Sequence, residues 1–227
     1  MMKLPVDVVI ALVRRNLDEL DPNGSLMYND ENGSSGDYGD NQSLDSTIAR
    51  FVPEAINAVH LAAPVALLEG DNELTPASVS LSQDGVLSFA LPSGSSYLRL
   101  VGFRAADSAI VVTDTIPQAS PEGRKQLNPH IRGRADRPRL VILQGKSGPE
   151  FKYYSIGTPE TYISDPATAI AYLSIIHELH YSVGTRSYDI SPRLKQNVVD
   201  QVTARVLETY GDQRYQLYQQ RSITFAQ

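Results

Sequence analysis

Cysteine is absent from the 227-residue chain. Disulfides, thiolate zinc sites, cysteine nucleophiles and iron–sulfur clusters are therefore excluded. No run of about 18 apolar residues occurs, and no basic stretch followed by an apolar one opens the chain, so neither a membrane span nor a signal peptide is expected. Met1-Met2-Lys3 reads as a native start. Basic charge is in short supply too: 20 Lys and Arg against 26 Asp and Glu leave a net charge of −6. Such a chain is poorly suited to wrapping duplex DNA, where affinity comes mainly from neutralised phosphates. What is present, 41% hydrophobic and 20% charged residues, is a globular composition. A chain of this length holds a core without metal or crosslink.

Val6, Val9, Ile10, Val13 and Leu17 recur at three- and four-residue spacing, which predicts a helix over 6–20. Pro5 suits its first turn, and Asp21-Pro22-Asn23-Gly24 ends it. Residues 22–43 form an acidic Gly/Asn/Asp-rich loop with very few aliphatic side chains. A second helix is predicted from Leu44 or Asp45, with Ile48, Phe51, Val52, Ala55, Ile56 and Val59 on its apolar face. Residues 77–156 change to strand patterns: Val79 and Leu81, Val86–Leu91, Tyr97–Arg104, Ile110–Thr113, and a hairpin of Val141–Gln144 with Phe151–Ile156. A small, mainly antiparallel sheet is expected from them. Helices are predicted again over Ala167–Val183 and from Ser191-Pro192 to about Gly211, leaving residues 212–227 as a polar-aromatic tail without a core signal. The expected fold class is α+β: a bundle of about four helices with an inserted small antiparallel β-sheet and long extended loops.

Few residues announce chemistry. His177-Glu178-Leu179-His180 spaces its histidines three apart, whereas the zinc-protease motif needs them four apart around the Glu, and no third ligand is evident. Gly145-Lys146-Ser147-Gly148 superficially matches a phosphate loop, but strands flank it on both sides and a hairpin turn is expected. No catalytic, metal or cofactor-binding residue is assigned, and no cofactor is expected. The segment 119–139 is more informative. It holds Arg124, Lys125, Arg132, Arg134, Arg137 and Arg139 against Glu122 and Asp136, a local +4 in an acidic protein. It reads either as a solvated loop or as a contact surface for acidic protein or DNA phosphate, since guanidinium forks fit both carboxylate and phosphate. Residues 18–45 are its opposite, with eight Asp or Glu and no Lys or Arg. The two segments meet either within one protomer or between neighbours in a repeated interface. In and just before the tail, Tyr210, Tyr215, Tyr218 and Phe225 are interspersed with Gln and with Arg221, a composition typical of interface anchors.

The order helix, long loop, helix, sheet with a basic excursion, helix, helix, tail resembles the head-to-tail adaptor (connector, or neck-ring) proteins of tailed bacteriophages. Leu44-Asp45-Ser46-Thr47-Ile48-Ala49-Arg50-Phe51-Val52-Pro53-Glu54-Ala55-Ile56-Asn57-Ala58-Val59 resembles the family's second helix, Tyr97-Leu98-Arg99-Leu100-Val101 its strand after a proline turn, and Arg137-Pro138 before Val141-Ile142-Leu143 its step into a hairpin. The longer loops at 22–43 and 105–139 are similar to a larger version, such as the ring proteins of crAss-like phages. The resemblance implies one adaptor-type domain over residues 1–227 and a dodecameric ring in the virion neck, bound to the portal and adjoining neck or tail proteins. It also implies a central channel that encloses genomic DNA without binding it specifically, no membrane contact and no enzymatic activity. Arg124, Lys125, Arg132, Arg134, Arg137, Tyr215, Tyr218, Arg221 and Phe225 are the expected inter-subunit or portal contacts. Two competing readings are a nucleic-acid-binding or DNA-packaging accessory protein using the basic loop, and a hydrolase using His177, Glu178 and His180.

Overall fold

The computed structural model describes residues 1–17, 38–72, 74–82, 85–106, 108–145, 148–155 and 168–225, with 38–43 described by their backbone. In chain order come β1 (Met2–Pro5), α1 (Val6–Asn16), α2 (Tyr38–Ala62), β2 (Ser78–Leu81), β3 (Leu87–Ala90), β4 (Arg99–Ala105) and β5 (Thr115–Pro117). There follow α3 (Pro121–Lys125), β6 (Arg139–Gln144), β7 (Pro149–Tyr154), β8 (Ile170–Ile176), β9 (Ser187–Ile190), α4 (Lys195–Thr209) and α5 (Tyr215–Ser222). The chain divides into two compact units, Met1–Glu69 with Leu179–Gln227, and Gly70–Glu178.

The first unit is built on α1, α2, α4 and α5, with β1 paired antiparallel to β9. The spacing that predicts α1 buries Val6, Val9 and Val13. On α2 the buried stripe is Leu44, Ile48, Val52, Ala55, Ile56 and Val59. This helix begins at Tyr38 rather than at Leu44 or Asp45, and Pro53 lies well inside it. Proline has no N–H, so the Ala49 carbonyl lacks its helical donor there. Val198, Val199, Val202, Val206 and Leu207 of α4 complete the core. Polar pins cross it: Arg14 Nε donates to Asp45 Oδ1 at 2.8 Å, and the Asn16 amide donates to the Thr203 hydroxyl at 3.2 Å.

The second unit carries a five-stranded sheet in the order β2-β3-β7-β6-β5 and a separate β4–β8 pair. Its core is an aromatic run in which Phe89 stacks on both Phe103 and Phe151 at centroid distances of 5.1 and 5.0 Å. Tyr97 meets Phe151 edge-on at 5.3 Å, and Tyr153 tilts against Phe103 at 5.1 Å. Offset and edge-on geometries suit the ring quadrupole.

The expected bundle of four helices with a small inserted sheet is overturned. Among the described residues the fold is a sheet-rich mixture of five helices, a five-stranded sheet and two smaller sheets. The decisive error is the helix expected over Ala167–Val183, where the chain forms β8. Ile170, Ile175, Ile176 and Tyr172 are β-branched or aromatic and favour a pleated surface. Leu173 to Ile176 are all buried, so no alternation separates this strand from a buried helix. The main sheet is mixed, because β5 runs parallel to β6. The strand expected over Ile110–Thr113 reduces to one bridge, with Val112 and Phe103 exchanging backbone bonds of 2.8 Å. Residues 212–225 contain α5, which packs on α4. Among the described residues, no helix is long and apolar enough to cross a membrane.

Candidate protein-contact surface

The basic segment is the connection between the parallel strands β5 and β6, and it is a built structure. Ser120 caps α3: its hydroxyl accepts from the Gly123 N–H at 3.0 Å and donates to the Pro117 carbonyl at 2.7 Å. Pro121 stands at the first helical position, where its missing N–H costs nothing. Gly123 is required, because a Cβ there would collide with the Pro117 carbonyl and the Gln118 backbone. Buried Gln126 ties the rest of the segment down. Its amide donates to the Glu122 carbonyl at 3.2 Å, and its side-chain oxygen accepts from the Gly133 N–H at 2.7 Å. Arg134 and Arg137 then close a turn by exchanging backbone bonds of 3.2 and 2.9 Å.

This scaffold holds Arg124, Lys125, Arg134, Arg137 and Arg139 exposed, with Arg132 half-buried. Burial pushes the Tyr154 hydroxyl above its ordinary range, and the Arg132 charge opposes that shift. Lys125 lies 4.0 Å from Glu122 on the same short helix, a weak exposed pair. Two large apolar side chains share the segment, Leu127 at 58% exposure and Ile131 at 56%. Arg124 and Leu127 border a groove of about 550 Å3 whose other walls include Pro117, Gln118, Ile142 and Leu143. Sequence reasoning found the arginines through their charge. It missed Gln126, Leu127 and Ile131, which lie in a stretch with no helical or strand period.

The C-terminal candidates stand on the first unit. Tyr218 is half-buried, and its hydroxyl donates to the Asn16 carbonyl at 3.2 Å. The Arg221 guanidinium lies 5.5 Å from the Tyr218 ring centroid, a cation–π contact. Tyr215 and Phe225 are half-buried. Outward-facing instead are Leu217 and Ile223, at 48% and 57% exposure. Further polar pins join α5 to α4: the Asn197 amide donates to the Ser222 and Thr224 carbonyls at 3.0 Å, and the Ser222 hydroxyl donates to Gln201 Oε1 at 2.5 Å.

The remaining motifs fall into other roles. His177 closes a strand instead of facing along a helix. Its Nδ1 lies 2.8 Å from the Ser96 carbonyl and its Nε2 3.4 Å from Asp71 Oδ2. His180 and Glu178 are exposed. Among the described residues no cluster of three or more His, Asp or Glu is placed to hold a metal. Gly145 donates its N–H to the Gly148 carbonyl at 2.9 Å, closing the β6–β7 hairpin. Most of the acidic segment 18–45 lies outside the described residues; Asp45 pairs with Arg14. No family model and no curated protein matches this chain.

Proposed function

We propose that the chain is a structural subunit of a bacteriophage neck ring, which joins the portal to the tail around the DNA channel. The observation that carries this reading is the hydrogen-bonded β5–β6 connection, which carries exposed arginines together with exposed Leu127 and Ile131. A surface built only for phosphate has no use for large apolar side chains. Arginine mixed with apolar anchors is instead the composition of protein–protein interfaces. The net charge of −6 is also suited to a channel wall that must let DNA slide past. Ring subunits use heterologous contacts, which require two different complementary patches on each copy. The arginine-bearing connection supplies one patch, and the exposed Leu217 of α5 and Ile223 just after it are candidates for contact with an adjoining protein.

The test is virion association. The protein should copurify with intact particles, and the combined variant Arg124→Glu, Lys125→Glu, Arg134→Glu, Arg137→Glu should fold normally yet fail to enter them. Absence of the wild-type protein from particles overturns the reading. Tight binding to duplex DNA with a steep salt slope, lost in the same variant, would assign the chain instead as a packaging accessory.

A further inference from the structure

Among the described residues, the five-stranded sheet ends in two different edges. At β5 the edge is closed: Pro117 has no N–H, and its carbonyl accepts from the Ser120 N–H at 3.0 Å and the Ser120 hydroxyl at 2.7 Å. At the other end β2 reads Ser78-Val79-Ser80-Leu81, with none of the charged or proline residues that usually guard an edge.

The hydrogen-bond alternation shows which groups β2 offers. The Leu91 N–H donates to the Pro149 carbonyl at 3.3 Å, in phase with the register that sets Phe89 opposite Phe151 and Leu87 opposite Tyr153. Leu87 and Phe89 therefore bond to β7, and Ser88 and Ala90 turn their backbone groups to β2, opposite Ser80 and Ser78. The Ser82 N–H continues that phase, donating to the Val86 carbonyl at 3.0 Å. Val79 and Leu81 thus point their N–H and C=O groups outward, away from the sheet. Their side chains pack on the core, and Ser78 and Ser80 are exposed.

Residues 78–82 read Ser-Val-Ser-Leu-Ser, the same polarity in both directions about Ser80. An antiparallel copy laid along this edge with Ser80 opposite Ser80 places Val79 opposite Leu81 and Ser78 opposite Ser82. The outward groups of Val79 and Leu81 then form the hydrogen-bonded pairs, and Ser80 faces its copy as the close non-hydrogen-bonded pair. No charge on the strand meets its own image.

We propose that two copies of the free chain pair through their β2 edges about a two-fold axis at Ser80, joining their sheets into one. A second copy is the occupant because the edge complements itself in register, polarity and charge. Strands of this length bury far less than a permanent dimer needs, so the pairing is weak and concentration-dependent. It uses none of the residues of the proposed ring contacts, and its failure leaves the ring reading untouched.

The absence of cysteine makes the test clean. Full-length Ser80→Cys and Ser78→Cys variants each carry a single thiol on an exposed position of the same strand. Across the proposed axis the Ser80 Cα atoms come within about 4.5 Å, inside the reach of a disulfide. The two Ser78 positions stand four residues out of step, about 13 Å apart. With oxidised glutathione at high protein concentration, Ser80→Cys should form covalent dimer at least about ten-fold faster than Ser78→Cys, since only the former meets disulfide geometry. Equal rates, faster crosslinking of Ser78→Cys, or no dimer from either variant overturns the proposal.

Discussion

Replacing Asn197 by alanine should release α5 while leaving α4 intact. α5 is rich in glutamine and offers α4 little apolar surface, so its attachment depends on a few polar pins. The Asn197 amide donates to the Ser222 and Thr224 carbonyls at 3.0 Å, with the Arg221 carbonyl further off at 3.4 Å. The Ser222 and Thr224 carbonyls lie at and just past the end of α5, where no further helical turn supplies them a donor. Asn197 is itself buried, at 8% exposure, so water does not readily replace it. Losing two such bonds, at about 1 kcal/mol each, costs α5 about 2 kcal/mol of local stability. At 1.4 kcal/mol per factor of ten, the amides of Tyr215–Ser222 should then exchange with solvent about 30-fold faster. Hydrogen exchange read by mass spectrometry, with Val198–Val206 of α4 as the internal reference, measures this directly. If α5 keeps its protection, or if α4 loses protection equally, the pins do not hold α5 as a separately opening element and the reasoning fails.

Other consequences are equally open to measurement. Gly123→Ala should destabilise the β5–β6 connection by about 1–3 kcal/mol, because the new methyl meets backbone rather than a movable side chain; an unchanged urea midpoint would contradict it. Burial raises the Asp200 carboxyl above its ordinary range, opposed by the Gln196 amide at 2.9 Å and by the charge of Arg221. A carboxyl that holds its proton more tightly when folded loses stability as pH rises from its unfolded value through its raised folded one. Asp200→Asn should therefore be more stable than wild type at neutral pH, and the gain should vanish in acid below both values. Denaturant midpoints at both ends of that window decide it, and a pH-independent difference would refute it. Phe103→Ala, between Phe89 and Tyr153 in the aromatic run, should cost about 3–5 kcal/mol, checked by loss of the cooperative melt.

Three helices of the first unit, α1, α2 and α4, were legible in the sequence because helical periodicity is redundant, whereas its β1–β9 pair and α5 were not. Val6, Val9 and Val13, or Ile48, Val52 and Val59, repeat one face several times, and a single misplaced residue does not blur the pattern. A proline ordinarily marks a helix's first turn or a kink, yet α2 runs through Pro53 because burial of the flanking stripe outweighs one missing bond. β8 was misread for the opposite reason: a short strand buried on both faces has no period of its own, and Ile170, Leu173 and Ile176 happen to fall at helical spacing. Parallel pairing of β5 was invisible, because Thr115-Ile116-Pro117 is too short to carry any pattern. At the candidate surface the arginines announced themselves, but the buried amide of Gln126 did not. Glutamine is ordinarily a surface residue, and the bond to its side-chain oxygen depends on Gly133 arriving from seven residues away.

The parallel pairing of β5 with β6 has a consequence for how this surface can change over time. Neighbouring strands that run antiparallel are joined by as little as a two-residue turn, and whatever decorates such a turn is easily trimmed. Strands that run the same way require a return path of a dozen residues or more. Residues 118–138 are that return path, so deleting them would unhitch β5 from the sheet. Descendants of this sequence are free to exchange Arg124, Arg134 or Arg137 one at a time, but they cannot discard the segment that displays them. Its length is inherited with the sheet, and only its charge is left for selection to adjust.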